Sequence, residues 1–168
     1  MSTNLFLTIV NGVVRRVQAI SVSSGVSDAN KIISTDSTGL LSPTILPSGI
    51  GAQTESIVAS EALVAGDFVN IYDNAGARNV RKADNSNNRP ARGFVLTPVS
   101  SAATALVYTT GRNTAMTGLT PGTVRFLGTA GSSTSTPPVA PNLHQNLGFA
   151  TSSTSLLFEY DEPIILDA

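Results

Sequence analysis

From Ile57 onward, apolar and polar positions alternate in short runs punctuated by glycine. The runs predict strands at Glu55–Ala59, Phe68–Tyr72, Arg78–Lys82, Arg92–Thr97, Thr104–Thr110, Val124–Leu127, Gln145–Ala150, Ser155–Tyr160 and Pro163–Leu166. Thr120-Pro121-Gly122 reads as a turn, with proline where its fixed φ helps. No window of helical length carries apolar residues at a 3.6-residue period without an intervening glycine or proline. Strands this short and this closely spaced predict an all-β domain, a β-barrel or β-sandwich, over residues 56–168.

Two stretches of that domain repeat one another. Gly66-Asp-Phe-Val-Asn-Ile-Tyr72, then Gly76, a polar loop and Gly93-Phe94-Val95, is matched by Gly122-Thr-Val-Arg-Phe-Leu-Gly128, then Gly131, a polar loop and Gly148-Phe149-Ala150. Hydroxyl residues follow each Gly-Phe, and then an apolar run, Ala105–Tyr108 in the first copy and Ser155–Phe158 in the second. Each copy reads as a three-strand half that cannot bury its apolar face alone, so the halves are expected to share one core.

Residues 1–55 have a different character and are expected to form an N-terminal arm. Asn11-Gly12 lies between two β-prone runs, Leu5–Val10 and Val13–Ile20, and predicts a hairpin, since both turn positions tolerate positive φ. The alternative is one extended, kinked strand. Alternation in Val13–Ile20 is poor, so this segment is expected to pack against something outside the main core. A short strand is expected at Lys31–Ser34 and a turn at Asp36–Gly39. In Leu40–Gly51, two prolines and two glycines forbid a regular helix or central strand. The same stretch holds Leu40, Leu41, Ile45, Leu46 and Ile50. Burying one such side chain is worth ~1.5–3 kcal/mol, so the stretch is read as an arm lying in a groove of its own domain or of a neighbour. A covered loop within one domain is the other reading. The candidate partner contacts are Leu40, Leu41, Ile45, Leu46, Pro47 and Ile50.

Composition narrows the function classes. Charged residues are 12% of the chain, about half the usual share, and the net charge is -1. Serine and threonine supply roughly a quarter of the residues. Such a surface lacks the charge that discourages self-association and suits life inside an assembly more than nucleic-acid binding. There is no cysteine, which excludes disulfides and thiolate zinc sites. No apolar run is long enough to span a bilayer as a helix, and the start lacks a signal-peptide pattern, so cytosolic synthesis is expected and no membrane partner.

Candidate chemistry is sparse. The single histidine, His144, could serve a Ser-His-Asp arrangement only with partners the sequence does not specify; a loop or strand-edge histidine is the plainer reading. Glu159, Asp161 and Glu162 cluster near the C-terminus, where Glu159 and Asp161 would share a strand face and could serve a glycan hydrolase or lyase. A solvated turn before Pro163 is the alternative. One histidine, no cysteine and no alternating acids support neither a zinc nor an EF-hand site, and no cofactor is expected. Five of the ten basic residues, Arg78, Arg81, Lys82, Arg89 and Arg92, lie within fifteen positions around the loop Asp84–Asn88. They could contact phosphate, face the acidic Glu159–Glu162 segment of an adjacent subunit, or line a solvated hairpin. Aromatic residues do not interleave them, so single-strand nucleic-acid binding is not indicated. Two polar loops, Asp84–Asn88 and Gly131–Pro141, occupy equivalent places in the repeat and could present a receptor- or glycan-binding tip, or be tolerant insertions.

The segment Lys31-Ile-Ile-Ser-Thr-Asp-Ser-Thr-Gly-Leu-Leu-Ser-Pro-Thr-Ile-Leu-Pro-Ser-Gly-Ile-Gly51 is similar to a recurrent pattern in structural proteins of tailed bacteriophages, in which such a stretch precedes a β domain. Ala65-Gly-Asp-Phe-Val69, Leu119-Thr-Pro-Gly122 and Leu147-Gly-Phe-Ala150 also resemble phage decoration and fibre-associated β domains. The resemblance covers about residues 28–166 and brings no catalytic residues. It implies a capsid decoration, or cement, protein on the virion exterior: a homotrimer bound to the major capsid protein, with an arm bridging neighbouring subunits. A tail-fibre or receptor-binding adaptor is the alternative.

Overall fold

Alternating side chains become paired strands across the second of two compact units, residues 1–51 and residues 52–168. The computed structural model describes residues 5–37, 39–42, 45–46 and 53–167. The fold is all-β. In the first unit lie β1 (Leu5–Val10) and β2 (Val13–Gln18). In the second unit the order is β3 (Thr54–Ala59), β4 (Phe68–Asn74), β5 (Ala77–Lys82), β6 (Gly93–Phe94) and β7 (Thr104–Tyr108). Then follow β8 (Gly111–Asn113), β9 (Val124–Leu127), β10 (Ser133–Thr134), β11 (Leu143–His144), β12 (Asn146–Ser152), β13 (Ser155–Phe158) and β14 (Ile164–Ile165). Two of the expected elements differ. Lys31–Ser34 is not a strand but contributes one bridge, Ile33 to Ile20, and the Gly131–Pro141 loop contains β10.

The repeat is structural. β5-β4-β6-β7 are neighbours in that order, and so are β10-β9-β12-β13. Phe68 pairs with Phe94 and Val69 with Gly93; at the equivalent places Val124 pairs with Phe149 and Arg125 with Gly148. The Gly66 amide donates to the Val95 carbonyl and the Gly122 amide to the Ala150 carbonyl. The Val95 and Ala150 amides return bonds to Asp67 and Thr123. Ala75-Gly76 and Ala130-Gly131 both turn with positive φ, which closes tight hairpins in step with strand twist. Each half is larger than the expected three strands and comprises five, because β5 and β10 form hairpins with β4 and β9, β3 adds beside β7, and β8 adds beside β13. The first half closes into a barrel when β3 meets β5 in parallel at Val58–Asn79 and Ala59–Val80. In the second half, β8 and β10 have three and two residues, and the sheet stays open.

Two cores result. Ile57, Leu63, Val69, Val80, Val95 and Val107 are among the residues filling the barrel. The other core is shared: Phe68 and Phe94 from the first half pack with Leu127, Leu147, Leu156 and Phe158 from the second. Phe68, Phe94 and Phe158 are mutual neighbours, with ring centroids 5.7–6.4 Å apart. Edge-to-face and tilted rings of this kind add to plain burial.

Polar groups stitch the halves at the rim of that core. The Asn85 amide nitrogen donates to the Leu127 carbonyl at 2.9 Å, and the Asn113 side chain donates to the Gly66 carbonyl at 2.9 Å. Asp84 accepts from the Ser86 amide and hydroxyl, from Asn87, and across the halves from the Ala130 amide. Burial alone would push the Asp84 carboxyl up, but these bonds outweigh it and hold its pKa below the usual value of 3.8. A carboxyl lowered on folding stabilises above its unfolded pKa, and that contribution is lost as pH falls through its folded value. Asp84→Asn is therefore expected to lower the urea midpoint at neutral pH. The gap to wild type should narrow as pH falls through and below the ordinary value of 3.8. Parallel midpoints for the two proteins during that fall would show that Asp84 is not the group responsible.

Candidate functional site: an exposed apolar arm

Twenty apolar residues are buried among those described, and Ala19 alone belongs to the first unit. That unit has strands and turns but almost no core. In its hairpin, Asn11 (φ 50°) and Gly12 (φ 77°) make the turn, and Val10 pairs with Val13. Directly opposed residues share a face. Leu5, Leu7, Ile9 and Val14 therefore line one side with Arg16, and Phe6, Val13 and Val17 line the other with Arg15. The chain then forms a 3-10 turn at Val26–Asp28. The Lys31 ammonium, 2.6 Å from Asp28, and then the Ser24 amide hold the Asp28 carboxyl below its ordinary pKa.

The sequence-predicted arm contacts follow. At the Asp36–Gly39 turn, the Asp36 amide donates to the Leu40 carbonyl and the Leu40 amide to the Asp36 carboxylate. Leu40 is 66% exposed, Leu41 49% and Leu46 37%. Ile45 is half-buried and borders a shallow recess with Ile20 and Ile33. Pro47 and Ile50 lie outside the described residues.

The charged candidates all lie in the second unit. Arg78 pairs with Glu55 at 2.7 Å. Arg81 donates to the Asn70 side-chain Oδ1 and stacks over the Tyr72 ring, 4.0 Å from its centroid. The Lys82 ammonium sits 3.5 Å from the Asp67 carboxylate, and its backbone amide donates to Glu61. Each of the three is engaged by its own chain. Arg92 stacks on Tyr160 and donates to its hydroxyl, which donates in turn to Glu162 at 2.9 Å. The basic region and the acidic segment thus already meet inside one chain.

Burial, and then the Glu162 carboxylate accepting from the hydroxyl, push the Tyr160 pKa up. Glu159 and Asp161 line an open recess of about 270 Å³ with Asn146, Gly148 and Tyr160, and neither carboxylate has an ion-pair partner among the described residues. His144 packs its ring on Phe126 at 5.1 Å, with no side-chain hydrogen bond to a described serine or carboxylate. The described residues include no cluster of three or more potential metal ligands.

Two exposed surfaces were not among the candidate contacts. One is the hairpin face, whose four aliphatic side chains stand in solvent; the poor alternation of Val13–Ile20 pointed to packing outside the main core but did not single out this face. The other is Ile164-Ile165, each 60% exposed, where a strand was expected but not its exposure.

No protein-family model matches the chain, and no curated protein matches it. Among solved structures it is similar to the crystal structure of the head fiber gp8.5 N base in bacteriophage phi29, at 12% identity and a TM-score of 0.49. The match covers 67% of this chain and 99% of that one. A likeness at that identity and superposition says nothing about role.

Proposed function

We propose that the chain is a structural protein of a tailed-phage virion, one that decorates the outside of the capsid and cements it without catalysing a reaction. The observation that carries this reading is the uneven burial: the second unit has two cores, while the first presents Leu40, Leu41 and Leu46 to solvent. Apolar surface concentrated on a coreless segment marks a place where another macromolecule binds. The motif resemblance of Lys31–Gly51 supplies the phage context.

On this reading the arm lies across the junction of major capsid protein subunits, and the β unit, as a homotrimer, stands on the shell. Burying the three leucines supplies the attachment. Each is worth at most ~1.5–3 kcal/mol, less for the area already covered in the free chain. A protein that binds only the assembled shell stabilises it by mass action.

The test mixes purified protein with undecorated shells and measures the amount that co-sediments. Replacing Leu40, Leu41 and Leu46 together by serine is expected to reduce apparent affinity by about a hundredfold or more, the sum of partial burials at ~1.4 kcal/mol per tenfold. Glu159→Gln is expected to leave it unchanged. Wild-type binding by the triple serine variant would overturn the attachment reading. A low copy number per virion would reassign the chain to the tail.

A further inference from the structure

The β1–β2 hairpin is a sheet of two strands, and two strands in water are marginal without a third strand or a covered face. Within Leu5–Gln18 its outer edges have no backbone partner among the described residues, although just beyond β2 Ile20 is bridged to Ile33. Leu5, Leu7, Ile9 and Val14 form a continuous apolar face, each at least half exposed. The charge on this element has one sign. Arg15 and Arg16 are the only ionisable side chains in residues 1–27, and neither has an ionic partner among the described residues.

Elsewhere in the chain the opposite surface is built. Glu159–Asp167 carries four carboxylates and no basic residue. Within it, β14 pairs with β11 on one edge only, through Leu143–Ile165 and His144–Ile164. Its other edge has no strand partner among the described residues, and Ile164 and Ile165 are both exposed.

From this complementarity we infer that the hairpin of one copy docks on the β14 edge of a second copy. The β2 edge continues the β11–β14 sheet, so Val14 and Arg16 on one face and Val13, Arg15 and Val17 on the other come beside Ile164, Ile165 and the acidic segment that carries Glu159 and Asp161. Strand addition supplies the backbone bonds that both edges lack. The charges give register and speed of encounter more than affinity, and salt screens them. Donor and acceptor surfaces differ, so the contact is head-to-tail: copies close into a ring where the rotation permits and otherwise grow as a chain. The inference goes beyond the capsid reading and uses a different segment from Leu40–Leu46.

The test needs only the full chain, without shells. Sedimentation at micromolar concentration and low salt is expected to show an oligomer that weakens as salt rises. Arg15→Glu with Arg16→Glu should weaken association by about tenfold or more, and so should Glu159→Lys with Asp161→Lys. All four changes together should restore it to within about threefold of wild type, because the ion pairs are re-formed with reversed sign. All these positions are exposed, and thermal unfolding will report that the β unit of each variant is intact. A monomeric wild type would overturn the inference. So would an arginine variant that associates as tightly as wild type, or a fourfold variant no tighter than either double.

Discussion

Gly148→Ala is expected to unfold the second half of the β unit. Gly148 has φ +110°, where an L side chain is strained, and a Cβ there would lie 2.0 Å from the Leu157 carbonyl oxygen and 3.1 Å from its carbon. Both are backbone atoms of the neighbouring β13, so no rotamer can relieve the clash. The glycine also sits where β12 shifts register against β9, and its amide is held by the Asn146 side chain at 2.7 Å. Backbone strain alone costs ~1–3 kcal/mol. With the forced separation of β12 from β13, the total should reach about 4 kcal/mol or more, among the largest single-residue effects. Gly122→Ala is the control, because Gly122 also has positive φ (80°) but open space around its missing Cβ. It should cost only the strain. Urea unfolding of the two variants compares them directly, and equal midpoints would mean that the close approach to Leu157 is not real.

Gln145→Leu is expected to cost about 3–5 kcal/mol while preserving side-chain volume, since each backbone group left unpaired in the core costs ~1–3 kcal/mol. The Gln145 side chain is fully buried, accepts from the Ala91 amide at 2.7 Å, and donates to the carbonyls of Ala91 and Asp161 at 2.9 and 3.0 Å. One residue of the second half thereby completes the backbone of a loop in the first and fixes the start of the C-terminal segment. Leucine fills the space but leaves all three groups without partners. Amide exchange gives the most specific readout: the Ala91 N–H should lose protection far beyond the global change. Continued strong protection of Ala91 in the variant would rule out Gln145 as its partner.

Strands of four or more residues were legible because alternation needs several positions to show itself. Val124–Leu127 has the bounds its pattern predicts, and Phe68–Tyr72 lies within β4. Among the elements of two or three residues, β6 and β14 fall within the predicted Arg92–Thr97 and Pro163–Leu166, and three others were not legible. β8, β10 and β11 have no period to read; β8 and β10 form because the longer β13 and β9 offer unpaired backbone groups, while β11 pairs with the equally short β14. For β10, the Arg125 guanidinium also binds the Ser133 carbonyl and hydroxyl from the adjacent strand. The charged candidates show the same limit. A cluster of bases looks free in sequence, yet Arg78 finds Glu55 and Lys82 finds Asp67, each far along the chain.

The order of residues by itself determined the all-β class and the duplication, down to which positions of the two copies correspond. These are local properties: period-two alternation, and glycine where a turn needs positive φ. What each copy became was settled only in three dimensions. The same Gly-Phe pair places Phe94 in the shared core and leaves Phe149 40% exposed on an outer face. One copy closes into a barrel and the other stays open, because closure requires two edge strands long enough to meet, and only β3 and β5 are. Pairing and burial depend on which surfaces are brought together, and chain order does not encode that distance.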